Sequence, residues 1–305
     1  MNNKLIVVTG PTAVGKTELC IDIARHFNTP VINADSRQIY RDMTIGTAAP
    51  TPQQMAAAVH YNVGILNINE YFSASLYEQM VMTQLDDIFS HQTTTPNGNK
   101  VALLSGGSMM YIDAVCNGID DIPTVRDDIR EDLKRRLSQE GLQPLLDQLS
   151  KLDPEYYNIV DKHNYRRVVH ALEICIQTGN TYTSFRTNAP KERPFDIIKI
   201  GLNRDRVELY ERINRRVDMM MEMGFLDEVY RLLPYRHCNS LNTVGYKELL
   251  NYLDGLITLD QAVEQIKSNT RRYARKQLTW YRRDESIKWF KPDHNKEIMT
   301  YLSQL

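Results

Sequence analysis

Gly10-Pro11-Thr12-Ala13-Val14-Gly15-Lys16-Thr17 fits the pattern G-x-x-x-x-G-K-[ST] at every fixed position. The apolar run Leu5 to Val8 precedes it and predicts a short buried strand. Lys16 to Phe27 follows with helical character. A strand, a glycine-rich loop and a helix in that order make a phosphate-binding loop. Its glycines let backbone N–H groups converge on a phosphate at a helix N-terminus, where the helix dipole also favours an anion. Lys16 adds a mobile positive charge, and the Thr17 hydroxyl is placed to hold Mg²⁺. The segment is therefore predicted to hold a di- or triphosphate, in the manner of nucleotide-binding and ATP-binding loops. The fold class it predicts is α/β, a P-loop NTPase-like parallel sheet flanked by helices.

The rest of the chain divides by character. Val31–Ala34 and Val101–Ser105 read as further buried strands, and residues 91–100 as a surface loop. From about 119 to 190 no β run occurs. Ile129, Leu133 and Leu137 recur every four residues before Gly141; Leu145, Leu146 and Leu149 mark a second helix; Val168, Leu172 and Ile176 mark a third, stopped by Gly179. Residues 119–193 are predicted to be an all-helical insertion domain, and 1–118 with 194–305 the catalytic core. Phe195–Leu202 returns to strand character. The remainder reads as helical, with a stripe at Leu209, Ile213, Val217 and Met220 and a long helix from about Leu259 to Arg283.

A nucleotide hydrolase or kinase usually has a second strand ending in an aspartate that holds Mg²⁺ through water. Here the strand Val101–Ser105 ends in Ser-Gly-Gly, and no arginine-rich lid is evident. The cradled diphosphate can therefore be a leaving group rather than a donor's tail. Asp35 follows the strand Val31–Ala34, at the sheet edge where α/β proteins bind ligands. It can serve as Mg²⁺ ligand or general base, or simply start a helix as its N-cap. Arg212 and Arg216, four apart, can clamp a diphosphate or belong to a solvated face with Glu208.

The formal charge of −1 argues only against a uniformly basic protein. Residues 266–291 hold nine basic residues against two acidic ones, a local +7 that leaves the rest at −8. Tyr273, Trp280, Tyr281 and Trp289 are interleaved with them. That pattern suits an RNA backbone and splayed bases, or an amphipathic helix docking its aromatics on the core; opposite faces can do both. Cys20, Cys116, Cys175 and Cys238 are widely spaced and indicate neither a zinc site nor a disulfide framework. No apolar run approaches the ~20 residues of a membrane span, and no signal peptide precedes the first strand. A cytoplasmic monomer is expected.

GPTAVGKT, then DSRQIY at 35–40, IGTAAP at 45–50, GGSMMY at 106–111, DKHNYRRVVHALE at 161–173, VGYKEL at 244–249 and TRRYARKQLTW at 270–280 together resemble the tRNA dimethylallyltransferase (tRNA isopentenyltransferase) family, in the family's order and over nearly the whole chain. The resemblance implies transfer of a dimethylallyl group from dimethylallyl diphosphate to the exocyclic amine of the adenosine 3′-adjacent to the tRNA anticodon. Pyrophosphate is released and Mg²⁺ is used. It implies Asp35 as general base, with Lys16, Thr17, Ser108 and Arg216 as catalytic groups and Arg212 on the diphosphate. It implies tRNA contacts at Asp35, Ser36, Arg37, Gln38 and Ser108, at Arg130, Asn164, Arg166 and Arg167 in the insertion for the anticodon stem-loop, and at Arg271, Arg275 and Lys276. The flipped target base would lie by Asp35–Gln38. Ser108 stands where the family has Thr. Ala49 and His170 depart from the family's usual Lys and Arg. A P-loop small-molecule kinase is the alternative enzyme, and a nucleotide-gated RNA-binding switch the alternative without catalysis. The basic C-terminal segment weighs against the kinase, and the absent Walker-B acid against the switch.

Overall fold

The computed structural model describes residues 3–187 and 189–304. The chain forms two compact units, Met1–Asn117 with Glu192–Leu305, and Gly118–Lys191.

The first unit runs β1 (Asn3–Thr9), α1 (Lys16–Phe27), β2 (Val31–Asn33), α2 (Pro52–Ala57), β3 (His60–Tyr61), α3 (Ala74–His91), β4 (Lys100–Ser105) and α4 (Met109–Asn117). The second holds α5 (Asp127–Glu140), α6 (Gln143–Leu152), α7 (Pro154–Ile159), α8 (Tyr165–Thr178) and α9 (Tyr182–Phe185). The first resumes with β5 (Asp196–Leu202), α10 (Arg206–Glu222), α11 (Phe225–Arg231), α12 (Tyr246–Leu253), α13 (Leu259–Tyr281), β6 (Lys288–Phe290) and α14 (Asn295–Leu302).

Among the described residues the six strands make one parallel sheet in the order β3-β2-β4-β1-β5-β6. Side chains alternate across a strand, so β1 feeds two cores. Ile6 and Val8 pack with α1, α10 and α14, while Leu5 and Val7 pack with α3 and α4. Both faces are covered, as an all-parallel sheet requires. A third cluster joins Ile39, Tyr40 and Met43 to Phe225, Tyr246, Leu249 and Ile266.

The expected α/β class and its parallel sheet are therefore present. β3 and β6 were not anticipated: two and three residues carry too little pattern to register as strands, and the tail is not wholly helical. The helix at Ala74–His91 was likewise unanticipated; Ser73 caps it by accepting the Leu76 N–H. The long helix starts at Leu259, fixed by a capping box between Thr258 and Gln261, and stops at Tyr281.

The helical unit buries its own core of Leu133, Leu145, Leu146, Leu149, Val168 and Leu172. The α8 stripe continues through Cys175, which is buried, whereas Ile176 is exposed. Helical geometry places 168, 171, 172 and 175 on one side, so Ile176 is not a core residue. Asp153 is buried among neutral donors. It accepts the Tyr156 N–H and both the N–H and hydroxyl of Thr183.

Candidate active site

β1 delivers the phosphate loop to the C-terminal edge of the sheet. Gly10 sits at φ +142°, and a Cβ there would stand 2.5 Å from the Leu202 carbonyl of the neighbouring strand. Only glycine lets the loop leave the sheet at that point. α1 begins beyond Gly15 with no side-chain cap, so its first N–H groups are left for an anion. The Lys16 ammonium donates to the Gly10 and Pro11 carbonyls at 3.0 and 3.1 Å. Burial, followed by the nearby Arg216 charge, lowers it to about 8.

Three arginines hold the loop in succession. Arg216 donates to the Thr12 hydroxyl at 3.3 Å, Arg212 to the Ala13 carbonyl at 3.0 Å, and Arg204 to the Val14 carbonyl at 2.9 Å. The solvated salt-bridge alternative for Arg212 and Arg216 does not hold, because Glu208 pairs with Arg204 at 2.6 Å. Arg204, anchored also by Asp293, had not been anticipated. Its neighbours in sequence carry no motif that marks it.

Asp35 leaves β2 at the same edge. It does not start a helix, since residues 36–39 form a turn. Its Oδ1 accepts the Arg37 and Gln38 N–H groups at 2.8 and 3.2 Å, as a short side chain does in a local turn. Its Oδ2 makes no hydrogen bond among the described residues. The charge of Asp35 is felt by both Lys16 and Arg216, which puts the carboxylate beside the phosphate loop. Ser108 joins this edge through Gly106, where any Cβ would collide with the Ala34 carbonyl. The Ser108 N–H then donates to that carbonyl at 3.0 Å, and its Oγ accepts the Ser36 N–H at 2.8 Å.

The segment after the turn is fixed by a carboxylate. Glu228, fully buried, accepts the N–H groups of Thr44, Ile45 and Gly46, the Thr44 hydroxyl and the Tyr246 hydroxyl, all between 2.6 and 3.0 Å. Burial and the Glu228 charge push the Tyr246 phenol up, which keeps it a donor. On that support the Gln38 amide donates to the Thr47 and Ala48 carbonyls. Its donors are thereby committed, and its Oε1 is the group left for a ligand. Arg37 donates to the Asn239 carbonyl.

α13 shows two faces. Ala274, Gln277 and Tyr281 point inward, and Trp280 and Trp289 pack on the core, with the indole N–H of Trp280 on Asp113. Tyr273 donates to the Gly107 carbonyl. The aromatics thus serve packing, and Arg272, Arg275, Lys276, Arg282 and Arg283 are exposed. Lys267 is neutralised by Asp218 and Glu264, and Arg271 donates to Asn214. Gln277 had also gone unanticipated. It is fully buried, accepts the Thr12 N–H at 2.9 Å and donates to the Gly107 carbonyl at 2.8 Å. An amide at an apolar position of a helical stripe is the signal that would have marked it.

In the helical unit, Arg130 pairs with Asp127, Asn164 caps α8 by accepting the Arg167 N–H, and Arg166 donates to the Tyr165 hydroxyl. Arg166 and Arg167 are exposed at the start of α8.

A phosphate loop at the carboxyl edge of a parallel sheet, with a carboxylate at the same edge from β2, one strand beyond the neighbouring β4, defines an α/β phosphate-loop protein equipped for group transfer. The chain belongs to the IPP transferase family, whose pattern matches residues 38–284. It is 58% identical over 302 residues to tRNA dimethylallyltransferase 1 of Phocaeicola vulgatus, covering 99% of this chain and 98% of that protein. Against tRNA dimethylallyltransferase 1 of Bacteroides thetaiotaomicron it is 57% identical, covering 98% and 94%. The crystal structure of the tRNA isopentenylpyrophosphate transferase of Bacillus halodurans superposes with a TM-score of 0.70 at 36% identity, over 99% and 96% of the two chains. The family resemblance carried by the motifs is borne out, and a small-molecule kinase is not favoured. Among the described residues no helix is long and apolar enough to cross a membrane.

Proposed function

We propose that the chain transfers a dimethylallyl group from dimethylallyl diphosphate to the exocyclic amine of the adenosine 3′-adjacent to the anticodon in tRNA, releasing pyrophosphate. The observation that carries this is the juxtaposition of a diphosphate cradle and a carboxylate with one uncommitted oxygen. Relatives named tRNA dimethylallyltransferase support it.

The donor's diphosphate would lie on the loop N–H groups, with Lys16, Arg212 and Arg216 around it. The Lys16 ammonium would exchange its two loop carbonyls for phosphate oxygens. As the allylic carbon–oxygen bond breaks, its electron pair leaves with pyrophosphate, and these donors stabilise the charge where it grows. The adenine amine nitrogen forms the new bond to carbon and loses a proton to Oδ2 of Asp35. Ser108 keeps the Ser36 backbone, and with it the Asp35 turn, in place. The Thr17 hydroxyl has no hydrogen-bond partner among the described residues, which fits a Mg²⁺ ligand. Among the described residues no cluster of three or more acidic, His or Cys side chains could hold a metal, so Thr17 would share the ion with phosphate oxygens, as Mg²⁺ sites commonly do. When bound, Mg²⁺ supplies charge neutralisation on the departing diphosphate.

For tRNA, the reading assigns the base to Asp35, Ser36, Arg37, Gln38 and Ser108, and the phosphates to Arg271, Arg275 and Lys276. Arg130, Asn164, Arg166 and Arg167 are assigned to the anticodon stem-loop.

Incubation with bulk tRNA, Mg²⁺ and labelled dimethylallyl diphosphate tests the proposal. Label is expected in the RNA. No label in RNA, together with γ-phosphate transfer from ATP to a metabolite, overturns it.

A further inference from the structure

A cavity of about 970 Å³ opens between the start of α10, the C-terminal half of α13 and the segment after β6. The proposed chemical step does not use it, and of its lining only Arg275 is assigned above, to tRNA phosphate. Its volume lies in the range of about 300–1,000 Å³ usual for small-ligand pockets.

Its lining is unusual in charge. Arg206, Arg275, Arg282 and Lys291 all face it, and none has a carboxylate partner among the described residues. By contrast, Arg204 in the same wall is paired with Glu208 and Asp293. Two acids also line the wall, and among the described residues neither pairs with these four cations. Asp205 accepts the Val207 N–H, and Glu297 pairs with His294. Four unpaired cations against two carboxylates leave the hollow net positive, and a bound anion relieves the repulsion among them.

The geometry is also directed. Arg206 and Arg275 both donate to the Tyr210 hydroxyl, each at 3.2 Å, and the Arg206 guanidinium lies over the Tyr210 ring, 5.3 Å from its centroid. One neutral oxygen thus gathers two guanidinium forks whose remaining N–H groups are free for a ligand. Such forks match phosphate oxygens bidentately. Tyr210 and the half-buried Trp289 belong to the same wall. The cavity is separate from the diphosphate cradle but shares a wall with it: Arg204 lines the cavity and holds the Val14 carbonyl of the phosphate loop.

We propose that this cavity is a second anion site, which takes a free polyphosphate-bearing small molecule on Arg206, Arg275, Arg282 and Lys291. Two guanidinium groups gathered on one hydroxyl present a compact donor cluster, which suits a compact anion better than an extended RNA strand.

The test is calorimetric titration of the full-length Lys16→Ala protein with inorganic tripolyphosphate, so that the phosphate loop is weakened and no transfer is measured. The outcome is therefore independent of the proposed prenyl transfer. One binding event is expected to remain. Adding Arg206→Gln and Arg282→Gln, both exposed positions, should weaken it by about 10- to 100-fold, the loss of one or two charge-assisted hydrogen bonds. An unchanged thermal midpoint shows that the fold is kept. The proposal is overturned if Lys16→Ala binds no tripolyphosphate, or if the added substitutions leave its affinity unchanged. It is also overturned if tRNA displaces tripolyphosphate one for one and the same pair of substitutions lowers tRNA affinity. The cavity would then belong to the RNA backbone.

Discussion

Gln277 accepts the backbone N–H of Thr12 at 2.9 Å across 265 residues of chain. Its amide nitrogen donates to Gly107, so one side chain ties the phosphate loop to the loop that carries Ser108. Gln277→Leu should leave the half-buried Thr12 N–H unpaired and the Gly107 carbonyl with only the Tyr273 hydroxyl. Stability should fall by about 1–3 kcal/mol, and KM for the diphosphate substrate should rise. Urea unfolding and steady-state kinetics read both, and no change in either would refute the tie.

Asp35→Asn is a clean test of the base. Asparagine keeps the oxygen that caps the turn through Arg37 and Gln38, so the local backbone should survive. Transfer should slow by about 10²–10⁴-fold, the scale of general-base catalysis, while tRNA binding persists. Near-normal turnover would assign the proton elsewhere.

The alkaline limb of the pH profile should belong to Lys16. Burial and the Arg216 charge bring its ammonium down to about 8 in the free protein. Below that pH the cation is present to receive the diphosphate; above it the proton is lost. kcat/KM, which reports free-enzyme groups, should therefore decline as pH rises through about 8. Lys16→Met should be slower throughout and lack that limb.

Glu228 touches no proposed substrate yet organises the loop on which Gln38 rests. Glu228→Ala would strand five donors at once. A loss of about 3 kcal/mol or more is expected, visible as an earlier urea midpoint. Glu228→Gln should cost less, because it keeps one acceptor oxygen.

Lys276 is exposed on the outer face of α13. If that face meets tRNA phosphates, Lys276→Gln should weaken binding and lower the log–log salt slope by about 1. An unchanged slope would place the RNA backbone elsewhere.

The strand, loop and helix at Leu5–Phe27 were legible because the information is local: an apolar run, fixed glycines and a helical period all lie within 25 residues. Asp35 was legible as a residue at a strand end, but whether it began a helix or only a turn was not, since Ser36–Ile39 suits both. Residues acting over long separations stayed hidden. Glu228 reaches Thr44 across 184 residues and Arg204 reaches Val14 across 190, and a single sequence records no such pairing. β3 and β6 escaped because strands of two and three residues exist only through their neighbours. The basic run at 266–291 was legible as charge. Its division into an apolar inner face and a charged outer one needed the helix phase that the structure fixes at Ala274, Gln277 and Tyr281.

The three arginines that hold the phosphate loop lie on the far side of the helical unit in the chain, and Gln277 lies further still. During synthesis the loop therefore leaves the ribosome long before its supports exist. Domains fold largely in the order they emerge, so the helical unit can complete its own core while the phosphate site is still unfinished. A chain cut off before residue 204 would display the full phosphate-loop sequence and lack the groups that shape it. Ligand binding at this loop would then report that the chain has been made past Gln277.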